Sequence, residues 1–457
     1  MAGIGFELRK LLKRESLLGI LRAYGYSGLI SSGPWVLSIL GIMLVGILSV
    51  GKISPIIRVQ QFLVVVNYIM AGSLVLTGLL QLMFTRYVAD RLFQRKRNVV
   101  VPNLMGVLTL TSIVAGGFST AVVVFLFDEG LVLRVLMVVS FVAVYDVWML
   151  VVLMSGLKNY RRVLAIFVGG YSVSIGASLG LRRFNIEGLL GGFLLGQVVL
   201  LFLMLAAIVR DHPRSRTLVS FDFLRPKQSF YSLMFTGFFY NLGIWVDKLM
   251  FWFNPVTSEQ VIGPLRASVI YDLPIFLAYL SIIPGMAVFL VRIETDFAEH
   301  YDLFYNAVRE GDTLPHIEHL RQGMTFFIRQ GIYEIFKVQG LTLLVLLLAG
   351  ARILNAIGIS SLYLQLFYVD LVAVGVQVLL LSILNVLFYL DQRGFALALS
   401  FLFTVLNVAL TWLTQWLGPA FYGYGFAAAT ILTSFVGIIF LSRLLAQLEY
   451  ETFMLQK

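Results

Sequence analysis

Residues Gly25 to Val50 read GYSGLISSGPWVLSILGIMLVGILSV and contain no charged side chain. A helix needs roughly 20 apolar residues to cross a bilayer, so this stretch fits a membrane span and little else. Its first half is not plain hydrocarbon, because Ser27, Ser31 and Ser32 precede Gly33-Pro34-Trp35. Proline inside a helix removes one hydrogen bond and bends the axis. Lipid tolerates the freed carbonyl only where a neighbouring helix or a wet cavity satisfies it. The stretch is therefore either a fixed kink packed on its neighbours or a flexible wall of a pathway.

The rest of the chain repeats the pattern. Of 457 residues, 59% are hydrophobic and 13% charged, a balance that excludes an ordinary soluble domain and indicates a polytopic membrane protein. Further spans are predicted at about 62–83, 102–127, 131–156, 163–181 and 187–209, then at 229–253, 270–291, 338–357, 364–390, 395–417 and 421–444. The expected fold is all-α, with about twelve transmembrane helices in two six-helix lobes. The expected parts are an amphipathic segment (1–24), an N-lobe (25–209), a polar linker (210–228) and a C-lobe (229–457). Basic residues fall in alternate loops. One side holds only Lys52, Arg58, Arg134, Arg182, Arg183, Arg266 and Arg352, and Lys248 lies inside a span. The positive-inside rule then predicts that both termini are cytoplasmic. Arg9, Lys10, Lys13 and Arg14 interrupt any signal-peptide core, and with no cysteine the chain forms no disulfide or thiolate metal site.

One long inner segment, 292–337, shows two apolar stripes at helical spacing, separated by the turn Glu310-Gly311-Asp312-Thr313-Leu314-Pro315. Phe297, Tyr301, Phe304 and Tyr305 on the first stripe either pack on the protein's own helices or form a docking surface for a partner.

Enzymatic motifs are missing from the sequence. It has no Gly-x-x-x-x-Gly-Lys-Ser/Thr loop for nucleotide hydrolysis and no recognisable nucleophilic triad. His316 and His319 with Glu318 fit a solvated helix face better than a metal site. No metal, cofactor or catalytic residue is therefore expected. Charges inside spans are more informative, because burying one costs at least about 2.5–3.5 kcal/mol. Asp146, between Tyr145 and Val147, is the clearest intramembrane carboxylate, and Asp247 beside Lys248 is a second. Either is a candidate for coupling transport to an ion, or a structural hydrogen-bonding group. Asp247 and Lys248, about 100° apart on a helix, need not pair with each other. Asp272 and Asp370, at the starts of their spans, read as interfacial.

Polar and aromatic side chains recur within the spans. Ser31, Ser32, Pro34, Trp35, Asn67, Tyr68, Tyr240, Asn241, Trp245, Asn385 and Asn407 are candidates for a pathway lining. Rings stack on sugar faces and amides bond sugar hydroxyls, so this set suits a carbohydrate passage. Interfacial aromatic belts and interhelical amide bonds are the alternative.

The opening MAGIGFELRKLLKR and the run AYGYSGLISSGPWVLSI closely resemble the Pel exopolysaccharide exporter family, a branch of the multidrug/oligosaccharidyl-lipid/polysaccharide (MOP) flippase superfamily. The likeness extends along the chain in length, helix count and the long inner segment. It implies two six-helix lobes around a central cavity and a bacterial inner-membrane exporter of an N-acetylgalactosamine-rich polymer (Pel) for the biofilm matrix. It also implies partners in a synthase complex, namely a cytosolic glycosyltransferase, a cyclic-di-GMP receptor and a membrane scaffold protein. Coupling to H+ or Na+ is a habit of the superfamily. Other cargoes, such as a lipid-linked precursor or a small cation, and a scaffold role remain open from the residues alone. Nucleic acid is not an expected partner, because the net charge of +10 is spread among loops.

Overall fold

The computed structural model describes residues 17–450 apart from 52, 54, 158–159, 214, 226–229 and 449, and of residues 17–23, 26, 29, 31, 160, 294 and 357 only the backbone. The predicted amphipathic segment 1–24 thus lies largely outside the described residues. The first half of the chain forms α1 (Leu17–Ser49), α2 (Ile57–Phe93), α3 (Val100–Leu126), α4 (Leu131–Gly156), α5 (Tyr160–Leu181) and α6 (Asn185–Asp211). After α7 (Tyr231–Phe253) comes a hairpin, β1 (Glu259–Ile262) and β2 (Leu265–Ala267). The second half continues with α8 (Val269–Leu280), α9 (Ile282–Val291), α10 (Ala298–Glu310), α11 (Leu314–Ile357), α12 (Leu364–Tyr389), α13 (Arg393–Leu417) and α14 (Tyr424–Ala446).

Ten helical stretches among the described residues are long and apolar enough to cross a membrane. One of them, Arg161–Asp211, is a hairpin of α5 and α6. A Cβ at Gly192 would meet Ser178, and one at Gly196 would meet Ser174 and Gly170, so residues pair in reverse order. With the hairpin taken as two spans and α7 added, the count reaches the predicted twelve. Gly176 and Gly180 of α5 have open space beside them.

The chain packs as two compact units, residues 33–269 and residues 1–32 with 270–457. These differ from the expected lobe boundaries at two points. Helix α1 changes unit between Ser32 and Gly33, one residue before Pro34, and α7 groups with the N-terminal spans. The second difference has a simple physical cause. Gly78 of α2 and Gly237 of α7 let the two backbones touch, since a Cβ on Gly237 would lie 2.4 Å from the Gly78 carbonyl oxygen. Small residues at such a crossing are a usual device of membrane helix packing.

Within the unit 33–269, α4 has the most buried apolar window of any span in it and packs on α2, α3 and α6. The connection after α6 is ordered where it is described. Ser220 N–H donates to the Pro102 carbonyl at 2.9 Å, Phe223 N–H donates to Asn103 Oδ1 at 3.3 Å, and the buried Phe223 ring meets Phe84 and Tyr87. The sequence predicted only a polar linker there. The β-hairpin turns at Gly263, φ 50°, and is tied to α2 by Gln61 Nε2 donating to the Val261 carbonyl.

The other unit contains a broken crossing. Helix α8 has Pro274 inside it, α9 follows after Ser281 with Pro284 in its first turn, and Arg292–Phe297 then form a π-helical turn leading into α10. A single span was expected over 270–291. Gly311 ends α10 at φ 72°, where a left-handed residue satisfies the last carbonyls. Helix α11 is 44 residues long, so the second amphipathic stripe and the ninth span, predicted separately, are one continuous helix. Pro284, Pro274 and the π-turn are each a recognised cause of helix irregularity. Helix α14 lies against both α12 and α13, with Gly425 on the Thr411 backbone and Gly437 on Ile383.

The α2–α7 crossing has a direct test. Gly237→Leu should lower the stability of the detergent-solubilised protein by about 1–3 kcal/mol or more through overpacking. Gly169→Leu, with open space beside it, should leave thermal unfolding nearly unchanged.

Candidate functional site

Asp146 lies on α4, facing α3, and is 5% exposed. Thr111 Oγ1 donates to its Oδ1 at 2.6 Å, and Ser112 Oγ donates to its Oδ2 at 2.8 Å. Thr111 also lies 2.9 Å from the Val107 carbonyl of its own helix. The neighbouring Tyr145 hydroxyl donates to the Leu76 carbonyl of α2 at 3.1 Å. A carboxylate and two hydroxyls form a set whose polarity can reverse. Hydroxyls donate to the ionised acid, and one can turn to accept from the protonated acid. The sequence showed Asp146 but not these partners. Thr and Ser are common in spans and signal little by themselves.

Asp247 and Lys248 on α7 are 0% and 1% exposed. The sequence gave them no need to pair, yet Lys248 Nζ lies 3.2 Å from Asp247 Oδ2 and donates to the Ile244 carbonyl at 2.8 Å. The lysine stem is long enough to bend back across the 100° between them, and two buried charges without water gain more from meeting than from standing apart. Lys248 Nζ also sits 5.8 Å from the centre of the Trp245 ring. Asp247 is thus held by a cation one residue away.

Around this pair, α2 and α7 bring several predicted lining residues together. The Tyr68 ring lies 4.5 Å from that of Trp252 and 6.2 Å from that of Phe253. Trp245 lies 6.2 Å from Trp252. The Tyr68 hydroxyl donates to the Arg266 carbonyl of the hairpin at 3.0 Å, and Asn241 Nδ2 donates to the Leu74 carbonyl at 2.7 Å. Trp245 is 9% exposed, and its indole N–H has no hydrogen-bond partner among the described residues. Asn67 and Tyr240, on the same two helices, are half-buried. The sequence missed Trp252 and Arg266, which hold Tyr68 from either side.

The remaining predicted residues are dispersed. Ser32 Oγ donates to Gly28 O of its own helix at 2.5 Å. The side chain of Ser31 lies outside the described residues, and Pro34 and Trp35, in the unit 33–269, are half-buried. Asn385 of α12 is half-buried. Asn407 of α13 is fully buried and accepts from Thr411 Oγ1 at 2.9 Å, which makes it a packing group. Asp370, expected at an interface, is also fully buried.

Of the two readings of the first stripe, packing is what burial shows for two of its four rings. Phe297 and Phe304 are both 0% exposed. Phe297 stands edge-on to Tyr389 at 5.3 Å and Tyr301 lies 5.5 Å from the same ring, while Tyr305 stacks on Tyr301 at 4.5 Å. Phe297 and Tyr301 thus pack on α12 of their own unit, and Tyr301 and Tyr305 are half-buried. What the sequence did not show is the ion cluster below them. Arg292 of the π-turn holds Glu334 of α11 through two bonds, at 2.6 and 2.9 Å, and Asp296 through a third at 2.7 Å.

Comparison with solved structures places this fold. The chain aligns with an outward-facing multidrug resistance MATE family transporter of the MOP superfamily over 93% of its own length and 97% of that chain, at 14% identity and a TM-score of 0.63. It aligns with a MATE in the bent conformation over 98% and 97%, at 14% identity and a TM-score of 0.64. A MOP superfamily transporter from Pyrococcus furiosus aligns over 93% and 96%, at 14% identity and a TM-score of 0.60. At such identity the likeness establishes the fold alone. No curated protein matches the chain in sequence. The model of the PelG exopolysaccharide exporter (EPS-E) family matches residues 1–453. The chain is a multi-pass membrane protein of the MOP transporter fold, and it belongs to the PelG exopolysaccharide exporter family.

Proposed function

We propose that this protein carries an N-acetylgalactosamine-rich exopolysaccharide (Pel) out of the cytoplasm across the bacterial inner membrane, without itself performing catalysis. The observation that supports this most is family membership across residues 1–453, joined to a fold whose known members are transporters. Side-chain chemistry agrees with such a cargo. Among the residues brought together on α2 and α7, rings and amides dominate, and the charges present, Asp247 and Lys248, neutralise each other. A cationic drug would call for an uncompensated carboxylate there. Sugar rings call for flat apolar faces and hydrogen-bond donors; the rings of Tyr68 and Trp245 are of the first kind, and the Trp245 N–H is a donor not used among the described residues. The partners of this reading are the glycosyltransferase, the cyclic-di-GMP receptor and the further membrane protein of a synthase complex.

The same reading gives Asp146 the coupling role. Its carboxylate is buried within a span, and its two donors can follow a change of protonation without leaving a group unpaired. Asp247 is the weaker candidate, since loss of its charge would strand Lys248 in a buried site. A cation of the H+ or Na+ kind would bind and leave at Asp146 during the transport cycle.

Two measurements test the proposal. Asp146→Asn keeps a group that can bond Thr111 and Ser112 but cannot titrate. Export should fall roughly tenfold or more while the amount of protein in the membrane stays constant, and unchanged export would remove Asp146 from coupling. Deleting the whole protein should abolish polymer outside the cell while lysates retain synthase activity. Loss of both together would replace the transporter reading with one in which the protein assembles the synthase.

A further inference from the structure

Helix α11 is out of proportion to the bilayer, and one of its faces is bare. Its 44 residues extend about 66 Å at 1.5 Å per residue, about twice the hydrocarbon thickness of roughly 30 Å. Residues 338–357 alone match that thickness and hold the uncharged run of the helix apart from Arg352, so residues 314–337 stand outside the hydrocarbon. Only 11% of the apolar window of α11 is buried, against 28–67% for the other windows.

The bare face is a regular stripe. Its exposed positions are Gln322, Phe326, Arg329, Tyr333, Phe336 and Lys337, continued by Leu341, Leu344, Val345 and Leu348. The alternation of three- and four-residue steps is the spacing of a seam between two helices. Phe326, Tyr333 and Phe336 are 60–65% exposed. Lipid alone would suffice for Leu341 to Leu348, and an interfacial belt for Tyr333 and Phe336. Neither reaches Phe326, which lies about 18 Å along the helix from Val338. One occupant that runs the length of the stripe covers all of it.

The charges on the stripe say what that occupant is. Arg329 and Lys337 are its only exposed charges between Gln322 and Leu348, and both are positive. Neither meets a carboxylate among the described residues, whereas the nearby Glu334 is already bound to Arg292. A second copy of this chain, related by an axis along the membrane normal, would set Arg329 against Arg329 and Lys337 against Lys337. The chain's own first residues carry Arg9, Lys10, Lys13 and Arg14 against Glu7 and Glu15, so their net charge again has the wrong sign. We infer that α11 is the docking helix for a different membrane protein, one whose spanning helix leaves the bilayer alongside α11 and carries carboxylates beside an apolar stripe. Opposite charges at the margin of such a seam set register and partner choice, and the apolar stripe supplies most of the contact area.

A photo-crosslinking amino acid placed at Phe326, Tyr333 or Leu344, in cells that make the protein from its own locus, tests this. All three positions should yield a product with the same membrane protein, identified by mass spectrometry, whose juxtamembrane helix is acidic. The position of Leu303, exposed on α10, should not. Arg329→Glu with Lys337→Glu should reduce the yield about fivefold or more, and Arg329→Lys should restore most of it when Lys337 is intact. Products made only with lipid or with a second copy, different proteins at the three positions, or yields unaffected by charge reversal would each overturn the inference. Because the readout is contact and not export, its failure is separate from any failure of the transport reading.

Discussion

Hydrocarbon offers no hydrogen-bond partner, and every other feature of this protein follows from that constraint. It requires the backbone to be helical within the spans and leaves each buried polar side chain to find a partner inside the protein. Most do so on their own helix. Ser38 donates to the Pro34 carbonyl, Thr77 to Ser73, Ser119 to Ala115, Thr236 to Ser232, Ser382 to Val378 and Thr404 to Ser400. Such hydroxyls are silent about function. Those that reach across to another helix are different in kind, because they fix two elements against each other; among them are Thr111 and Ser112 on Asp146, Tyr145 on Leu76, Asn241 on Leu74, Ser178 on Leu189 and Tyr368 on Leu347.

The same solvent also removes the usual force that draws helices together, since lipid tails are as apolar as leucine. Close backbone contact takes its place. Gly78 with Gly237, Gly192 with Ser178 and Gly425 with Thr411 are points where a single methyl group would collide with main chain. These contacts decide which helices are neighbours, and they explain why α7 groups with the first spans although it follows the polar connection. The aromatic cluster of Tyr68, Trp245 and Trp252 exists because that crossing brings α2 and α7 into register.

The sequence showed the class of fold and nearly all of its helices, because twenty apolar residues in a row have one reading in a membrane protein. The broken crossing at Ser281 was less legible, since Pro274 and Pro284 lie in an apolar run that looks continuous. The fusion that makes α11 was hidden by a change of composition at Val338, where polar amphipathic helix passes to apolar helix with no turn residue between. Site residues were legible by type only. Asp146, Asn241 and Trp245 announced themselves as unusual, but Thr111, Ser112 and Trp252 did not, because their role depends on a neighbour more than fifteen residues away. Phe297 and Phe304 left packing and docking undivided for a related reason. A stripe at helical spacing reveals that a face is covered without revealing by what, and here it is Tyr389 of the same unit.

A shared fold at 14% identity constrains backbone paths and little of the chemistry lining them. What distinguishes this protein must then be sought in side chains that the fold does not require. A buried pair such as Asp247–Lys248 contributes little net stability over an apolar pair of similar volume, because desolvation offsets the attraction. Its effect is to keep charge inside α7 while cancelling it, leaving rings and amides as the polar character of that region. The bare, cationic stripe of α11 makes the complementary point on the outside. Packing alone would favour burying Phe326 or replacing it with a polar residue, and neither has happened. A side chain that costs stability in the isolated protein and remains exposed is explained most directly by an assembly in which it is covered.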